Sequence, residues 1–334
     1  MKSPFTGGEA LLQREERSMN FRKDAFLIQF QYYLCVDSGE QFTDALLDEA
    51  NINQVYNQYR EKYGIPFPDE IKSIREQYDL SASKMSEILG LGINVYRNYE
   101  LGEVPSVSNG RLIQLVKDPV EFKRLMDYSK NEFTPEEQEK INRKIDQSLH
   151  GWNETGKMYE ILMLGEKRPG LFNGYKVPDI HKINNMVLFF AERIAPFKTK
   201  MNKLLFYADF LHFKRTCFSI SGLSYQAIRK GPVPKNYDWI FDNTMQQKMV
   251  TISLHVFGNY LGEKFHPAGE TSFDATLFTE AELHTMNLIA DAFKKDTVGQ
   301  LVSKSHEEEA WKDNVGSLSM ISYVYGFGLK YPVI

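Results

Sequence analysis

The sequence predicts a mainly α-helical protein with a small β-hairpin element at its N-terminus, an α+β fold class. Residues 8–35 are rich in β-branched and aromatic residues on both sides of a polar turn at 22–24, which favours a hairpin. Most later segments space their apolar side chains at helical intervals. Because 334 residues exceed the usual size of one domain, we expect more than one core.

Four segments are predicted along the chain. Residues 1–64 hold the hairpin and a helix that Thr43 is placed to cap, and residues 65–126 hold four short helices. Residues 127–175 are polar and charged, with a helix start at Thr134 and Pro135, and are interpreted as a helical spacer. Residues 176–334 form a second, larger helical domain.

This last domain begins with two strongly apolar helices. The first is capped by Asp179 and stops before Pro196, and "FKTKMNKLLFYADFLHFKRT" follows it. We then expect a conspicuous loop at Gly231 and Pro232, a β-prone stretch "MVTISLHVFG", helices over 279–295 and 297–304, and a C-terminal helix in "MISYVYGFGL".

Composition excludes several classes of protein. No apolar run approaches the ~20 residues that span a bilayer, and the N-terminus lacks the apolar stretch of a signal peptide, so we expect a cytoplasmic protein without membrane contact. Two cysteines cannot build a disulfide framework or a four-cysteine metal site. A net charge of −4 means that any nucleic-acid binding has to be local.

Residues 90–105, "GLGINVYRNYELGEVP", have the pattern of the second half of a helix-turn-helix. Glycines mark the turn, and Ser86, Leu91, Tyr96 and Tyr99 supply the interior positions where the two helices cross. The outward positions carry amide and guanidinium groups, which suit purine edges in the major groove. The predicted DNA-binding residues are Ser83, Lys84, Ile93, Asn94, Arg97 and Asn98.

Charge leaves a second interpretation open. Residues 69–125 carry nine acidic against eight basic residues, so the segment has a weak field and a weak non-specific hold on DNA. A homodimer would then have to supply much of the affinity. The alternative is a helical scaffold that has lost DNA binding.

The same stretch resembles the Xre/Cro-type helix-turn-helix, and more narrowly the C-terminal domain of MqsA-like (YgiT-like) antitoxins. Their "GxNxxxxYExG" segment is matched by residues 92–102, and the resemblance gives Asn94 the role of the DNA-reading asparagine. The family's arginine before the Tyr-Glu pair is Asn98 here, with Arg97 one position earlier.

The N-terminus resembles the zinc-binding domain of the same MqsA-like proteins. "KSPFTGG" and "YYLCVDSGEQF" match its two knuckles, but the four ligand places hold Ser3, Thr6, Cys35 and Ser38. One thiolate with three hydroxyls cannot complete a structural zinc site, so we predict no metal. Phe5 and Phe42 are expected to supply apolar packing instead.

In the C-terminal domain, "NKLLFYADFLHFKR" is apolar nearly all round and must be buried. The loop after it is the expected partner-binding surface. The region resembles the Panacea (SocA-like) domain at 204–208, Gly222, Tyr225, Ala227, 231–233 and "LVSKSHEEEAW", although Gly222-Leu223-Ser224 lacks the family's proline. Known members are antitoxins that bind diverse toxins, and one is a protease adaptor. The resemblance therefore makes the loop a toxin-binding surface, with the predicted toxin-binding residues Arg229, Lys230, Gly231, Pro232, Tyr237 and Trp239.

No enzyme activity, catalytic residue or cofactor is predicted. His306 and Glu309 have metal-helix spacing without a second Glu-x-x-His, no glycine-rich phosphate loop is present, and Cys217 is expected to be an ordinary buried thiol. The Panacea and MqsA-like resemblances imply an antitoxin that binds a cognate toxin protein through its C-terminal domain and binds operator DNA as a homodimer to autoregulate its operon. A protease adaptor and a stand-alone transcriptional regulator are the alternatives.

Overall fold

The computed structural model describes residues 1–129, 133–150, 162–165, 168–258 and 260–332. The chain forms two compact units. One contains Met1–Arg17, Ile28–Asn53 and Glu160–Ile334, and the other contains Ser18–Leu27 and Gln54–Tyr159. The boundaries predicted after residues 64, 126 and 175 stay predictions, and parts of the predicted spacer lie outside the described residues.

The predicted N-terminal hairpin is confirmed. Strands β1 (Ala10–Phe21) and β2 (Asp24–Cys35) are joined by a turn in which Arg22 has a φ of 54°. A short strand β3 (Gln41–Phe42) pairs antiparallel with β2 and gives the sheet order β1-β2-β3.

Helix α1 (Ala45–Tyr63) follows this sheet, and its predicted cap is wrong by one residue. The Leu47 amide donates to Asp44 Oδ1 at 2.9 Å, so Asp44 caps the helix and Thr43 does not. The negative charge of this carboxylate also interacts favourably with the partial positive charge at the helix N-terminus, and a neutral threonine hydroxyl gains much less from that interaction.

The helical unit contains five helices over the stretch where four were predicted, because the chain after the fourth turns once more at Pro119. They are α2 (Pro68–Gln77), α3 (Ala82–Ile88), α4 (Val95–Glu100), α5 (Val107–Leu115) and α6 (Pro119–Ser129). Their apolar faces form one core with the rings of Tyr78, Tyr96 and Phe122 fully buried.

Helix α7 (Pro135–His150), predicted within the spacer, packs into this same core. Thr134 caps it as predicted, since the Glu137 amide donates to Thr134 Oγ1 at 3.2 Å. The Glu137 carboxylate in turn accepts from the Thr134 amide at 3.0 Å. Ile141 and Ile145 are buried at 3% and 0% exposure, so α7 contributes to the stability of the helical unit.

Two polar contacts fix α4 against α2. Arg75 Nε lies 2.5 Å from Glu100 Oε1, in a pair whose side chains are 17% and 13% exposed. The Tyr96 hydroxyl donates to the Ile71 carbonyl at 2.7 Å. The orientation of α4 is therefore set by an ion pair and a buried hydrogen bond as well as by apolar packing.

The other unit is built around two helices, α8 (Ile180–Ile194) and α9 (Lys198–Thr216). Asp179 caps α8 as predicted, by accepting from the His181 amide at 2.8 Å. Helix α9 is buried on every side from residue 200 to residue 213. The remaining elements are β4 (Tyr225–Ile228), β5 (Gly231–Pro234), α10 (Tyr237–Gln246), β6 (Val250–Phe257), β7 (Tyr260–Pro267), α11 (Glu280–Phe293), α12 (Val298–Glu307), α13 (Glu309–Lys312) and β8 (Met320–Ile321).

The C-terminal helix predicted in "MISYVYGFGL" is wrong. Residues Met320–Ile321 pair with β4 in a sheet of order β5-β4-β8, and Tyr323–Gly328 is a 3-10 segment against α9. A Cβ on Gly326 would lie 2.8 Å from the Phe210 carbonyl oxygen, so this close approach requires glycine. No helix in the described ranges is long and apolar enough to cross a bilayer.

The Arg75–Glu100 pair yields a stability prediction. Glu100→Gln removes the closer and more buried carboxylate partner of the Arg75 guanidinium and should lower the free energy of unfolding by about 1–3 kcal/mol. Glu76→Gln is the matched control, because Glu76 lies 3.8 Å from the same arginine but is 55% exposed. Urea denaturation should show a change within about 0.5 kcal/mol for the control, and equal losses in both variants would contradict the assignment.

Candidate functional site

The predicted DNA-binding residues lie around the turn between α3 and α4. Ile93, Asn94, Arg97 and Asn98 are exposed, with Ile93 at 81%, and Ser83 is exposed on α3. The structure thus places these five side chains at the surface of the helical unit.

Buried contacts between α3 and the turn fix the start of α4. Gly90 has a φ of +64°, which favours glycine, and the Leu91 amide donates to the Ser86 carbonyl at 2.8 Å. The Tyr96 amide donates to Ser86 Oγ at 3.1 Å. Ser86, Tyr96 and Tyr99 are buried as predicted, and Leu91 is partly buried.

Lys84 differs from the other predicted residues. Its ammonium lies 2.9 Å from Glu87 and 3.0 Å from Glu137 on α7, and 4.8 Å from the centre of the Phe133 ring. The two carboxylates raise its pKa and neutralise its charge locally. A phosphate contact by Lys84 would require these ion pairs to be exchanged.

The four residues at the predicted knuckle positions come together. Thr6 Oγ1 lies 3.4 Å from Cys35 Sγ, and hydrogen bonds with the hydroxyls of Ser3, Ser38 and Thr6 lower the pKa of the Cys35 thiol to about 6. Gly7 and Gly39 both have a φ of +73° at the two turns. The Phe5 and Phe42 rings pack edge to face at 5.7 Å, which confirms the expected apolar contact.

This cluster offers poor ligands for a metal. It has one thiol, and hydroxyls are weak zinc ligands beside Cys and His. Within the described ranges, no group of three or more His, Cys, Asp or Glu side chains could hold a metal ion. The arrangement instead stabilises a thiolate through hydrogen bonds.

The predicted loop around Gly231 and Pro232 is a β-hairpin. Strands β4 and β5 pair antiparallel from Tyr225↔Pro234 to Ile228↔Gly231, and the turn exposes Arg229 and Lys230. Gly231 and Pro232, two of the predicted toxin-binding residues, are buried in β5. Each strand has only four residues, which is too short for a clear alternation of polar and apolar side chains, so the sequence did not predict these strands.

Gly231 is required where it stands. Its φ is +98°, and an added Cβ would lie 2.5 Å from Ser305 Oγ and 2.6 Å from Lys203 Cε. The backbone of β5 therefore approaches α9 and α12 too closely for any side chain. Gly231 and Pro232 position the hairpin, while Tyr237 and Trp239 on α10 are partly buried beside it.

Sequence patterns did not single out Lys203 of α9. It is fully buried, and its Nζ donates to the Pro232 carbonyl at 2.7 Å. Burial lowers the pKa of this amine to about 7. Charged residues on a helix that the sequence predicts to be buried were the available signal, and the partner of Lys203 could not be read from the sequence.

A second buried polar group, Asp209, anchors the chain that leads into the hairpin. Its carboxylate accepts from the Ile220 and Ser221 amides at 2.8 Å each, from the Ser221 hydroxyl, and from the Tyr225 hydroxyl at 2.6 Å. Burial raises the pKa of Asp209, although each of these bonds opposes that change. The start of β4 is thereby fixed to α9.

A surface pocket of about 190 Å³ lies where α9 meets the hairpin, and we call it the hairpin pocket. Lys198, Thr199, Asn202 and Lys203 of α9 form one wall. The opposite wall consists of Ile228, Lys230, Val233 and Tyr237. Two predicted toxin-binding residues, Lys230 and Tyr237, therefore meet at this pocket.

The other candidates from the sequence are structural. The His306 ring stacks on Trp311 with centroids 3.8 Å apart, and burial lowers its pKa. Cys217 is buried, donates to the Ala50 carbonyl at 3.1 Å, and has a raised pKa.

Comparison with known proteins gives one match. Residues 201–312 match the model of a family described as antitoxin SocA-like, Panacea domain. This range begins in α9, ends in α13 and includes the hairpin, Lys203 and most of the pocket. No curated protein and no solved structure matches the chain. The resemblance of the C-terminal part is confirmed, and the N-terminal segments lie outside the matched range.

The Cys35 cluster yields a pH prediction. The ultraviolet absorbance of its thiolate should appear with a midpoint near pH 6, and Ser3→Ala should raise that midpoint. An unfolded thiol titrates at about 8.5, so the lowered folded-state pKa stabilises the protein fully above about pH 8.5. This stabilisation is lost as the pH falls through about 6.

Cys217→Ala is the control for this titration, because burial raises the pKa of Cys217 out of the range. The step near pH 6 should persist in Cys217→Ala and disappear in Cys35→Ala. A wild-type midpoint at or above that of an ordinary thiol would contradict the hydroxyl cluster.

Proposed function

We propose that this protein is an antitoxin that binds and neutralises a cognate toxin protein through its C-terminal unit and autoregulates its operon through the helix-turn-helix of its helical unit. The single observation that carries the proposal is the match of residues 201–312 to the antitoxin SocA-like, Panacea domain. The toxin contact is a direct protein–protein interaction and needs no cofactor.

The tip of the β4–β5 hairpin is suited to binding a protein partner. Arg229 and Lys230 are exposed there, while the strands behind them are held by buried bonds. Trp311 Nε1 donates to the Ile228 carbonyl at 2.8 Å, and Lys203 Nζ donates to the Pro232 carbonyl. Such a fixed tip loses little conformational entropy when a toxin binds.

In this proposal the predicted toxin-binding residues have two roles. Arg229, Lys230, Tyr237 and Trp239 contact the toxin, and the buried Gly231 and Pro232 keep the hairpin against α9. A substitution at Gly231 would test packing, so the exposed tip is the better target for an interface experiment.

The exposed face of the α3–α4 turn supports the DNA-binding part of the proposal. Asn94, Arg97 and Asn98 point away from the core with side chains that suit base edges. The near-neutral charge of residues 69–125 makes the grip of one copy weak. We therefore propose that the operator-bound form is a homodimer, with two half-sites bound together.

Co-expression tests the toxin interaction. Growth of cells that express a neighbouring gene as a toxin should be restored by the wild-type chain, and the double variant Arg229→Ala/Lys230→Ala should restore it less, because two exposed cationic anchors are removed. The affinity for the toxin should fall by at least tenfold in a pull-down or calorimetric titration.

Lys248→Ala is the matched control, since Lys248 is an exposed lysine of the same unit that pairs with Glu270 at 3.3 Å outside the hairpin. It should rescue growth like the wild type. If no neighbouring gene product is toxic, the proposed antitoxin function is wrong. If the double variant rescues growth fully, the hairpin tip is not the toxin-binding surface.

Operator binding tests the helical unit. In a mobility-shift titration with the DNA upstream of the gene, Asn94→Ala and Arg97→Ala should each cost about 1–3 kcal/mol in binding free energy while growth rescue stays intact. Arg124→Ala is the control, because this exposed arginine on α6 already pairs with Glu121 at 2.6 Å. Unchanged affinity in the double variant of Asn94 and Arg97 would remove the recognition-helix assignment.

A further inference from the structure

The hairpin pocket has the size of a side-chain site. Sites for drug-sized molecules and cofactors enclose about 300–1,000 Å³, whereas this pocket has about 190 Å³. It opens beside Lys230 at the hairpin tip, so a group from a bound protein can enter it. A nucleotide or a flavin would not fit.

The charges around the pocket favour an anion. Its wall includes Lys198, Lys203 and Lys230, and no Asp or Glu is among the lining residues. Lys198 pairs with Asp238 and Glu263 at 2.7 and 2.8 Å, so its charge is already balanced. The positive charge offered to an occupant therefore comes from the other two lysines of the wall.

The amine of Lys203 is placed to meet such an anion. It uses one donor on the Pro232 carbonyl, and a protonated amine has two more. Burial lowers its pKa to about 7, so the amine is only partly protonated at neutral pH. A carboxylate within hydrogen-bond distance would favour the charged form and raise this pKa.

Asn202 adds a requirement that a bare anion cannot meet. This residue is 3% exposed, and its Nδ2 donates to the Lys198 carbonyl at 3.1 Å, which fixes the orientation of the amide. Its Oδ1 is buried at the pocket wall and has no partner among the described residues. An unsatisfied buried acceptor is costly, so the occupant should also bring a donor.

We propose that the hairpin pocket is a binding site for an acidic side chain of a bound protein, whose carboxylate accepts from Lys203 Nζ while a backbone N–H next to that side chain donates to Asn202 Oδ1. The identity of the donor protein rests on the proposed function, in which it is the toxin. The peptide chemistry of the occupant follows from the pocket alone.

The test uses small probes on the full-length chain. The acidic probe is N-acetyl-glutamate N-methylamide, its neutral control is the corresponding glutamine compound, and inorganic phosphate is the bare anion. In NMR titrations the glutamate probe should shift the signals of Lys203 and Asn202 and bind at least tenfold more tightly than the other two. It should also raise the pH midpoint of the Lys203 side chain.

Variants separate the pocket from general charge effects. Lys203→Met, which keeps the length of the side chain, should abolish the difference between the glutamate and glutamine probes. Lys235→Met, an exposed lysine outside the pocket, should preserve it. If Lys203→Met fails to fold, the shift of the Lys203 midpoint in the wild-type chain decides the question.

The outcomes also separate this inference from the proposed function. Equal binding of the two peptide probes, or phosphate binding as tightly as the glutamate probe, overturns the acidic-peptide site. Full toxin neutralisation by Lys203→Met overturns its use in the complex. A selective glutamate response together with no toxic neighbour would retain the pocket and refute the antitoxin role.

Discussion

Helix α9 is buried on every side and still carries charged residues, and the surrounding fold has to satisfy them. Lys200 donates to the carbonyls of Phe293 and Asp296 at 2.7 and 2.6 Å and so closes the end of α11. Lys203 donates to the backbone of β5, and Asp209 accepts hydrogen bonds from the chain before β4. Since an unpaired buried charge costs several kcal/mol, loss of any one of these contacts would release the segment it holds.

These contacts matter for function because they hold the β4–β5 hairpin, and with it the exposed tip, firmly against α9. Arg229 and Lys230 lie between two strands that α9 holds in place. Asp209 accepts from Tyr225 at the start of β4, and Lys203 donates to Pro232 near the start of β5. Interfaces gain affinity when their exposed side chains are held before binding. The same buried lysine that fixes the hairpin also forms the wall of the hairpin pocket, so structure and recognition depend on one amine.

Local patterns in the sequence were sufficient for elements with a local cause. The hairpin at 10–35, the Asp179 and Thr134 caps and the buried α9 were predicted from turn residues, capping residues and apolar spacing. The exposure of Asn94 and Arg97 was likewise predicted from the helical spacing of the apolar residues around them. Each of these signals involves residues a few positions apart.

Features that depend on distant contacts were missed. Whether "AIRKGPVP" is a loop or two strands is decided by the approach of β5 to α9 and by the pairing of Tyr225 with Ile321, about a hundred residues away. The role of Lys203 depends on its hydrogen bond to the Pro232 carbonyl. The "YGFG" segment is a 3-10 segment and not the predicted helix, and its Gly326 lies against the Phe210 carbonyl. The pocket exists only after these contacts form, so no local pattern could have indicated it.

Hydrogen bonds around a single sulfur hold the N-terminal cluster together. The two turns with Gly7 and Gly39 bring Ser3, Thr6 and Ser38 around one sulfur, where a closed zinc site would need four strong ligands. Hydroxyl bonds to a thiolate are weaker than metal–sulfur bonds, so more of the stability has to come from packing, and the Phe5–Phe42 contact supplies part of it. A thiolate accepts these hydrogen bonds more strongly than a thiol does, so this corner of the protein is most stable at neutral and alkaline pH. A pocket that binds a carboxylate through the protonated Lys203 instead binds more tightly as the pH falls.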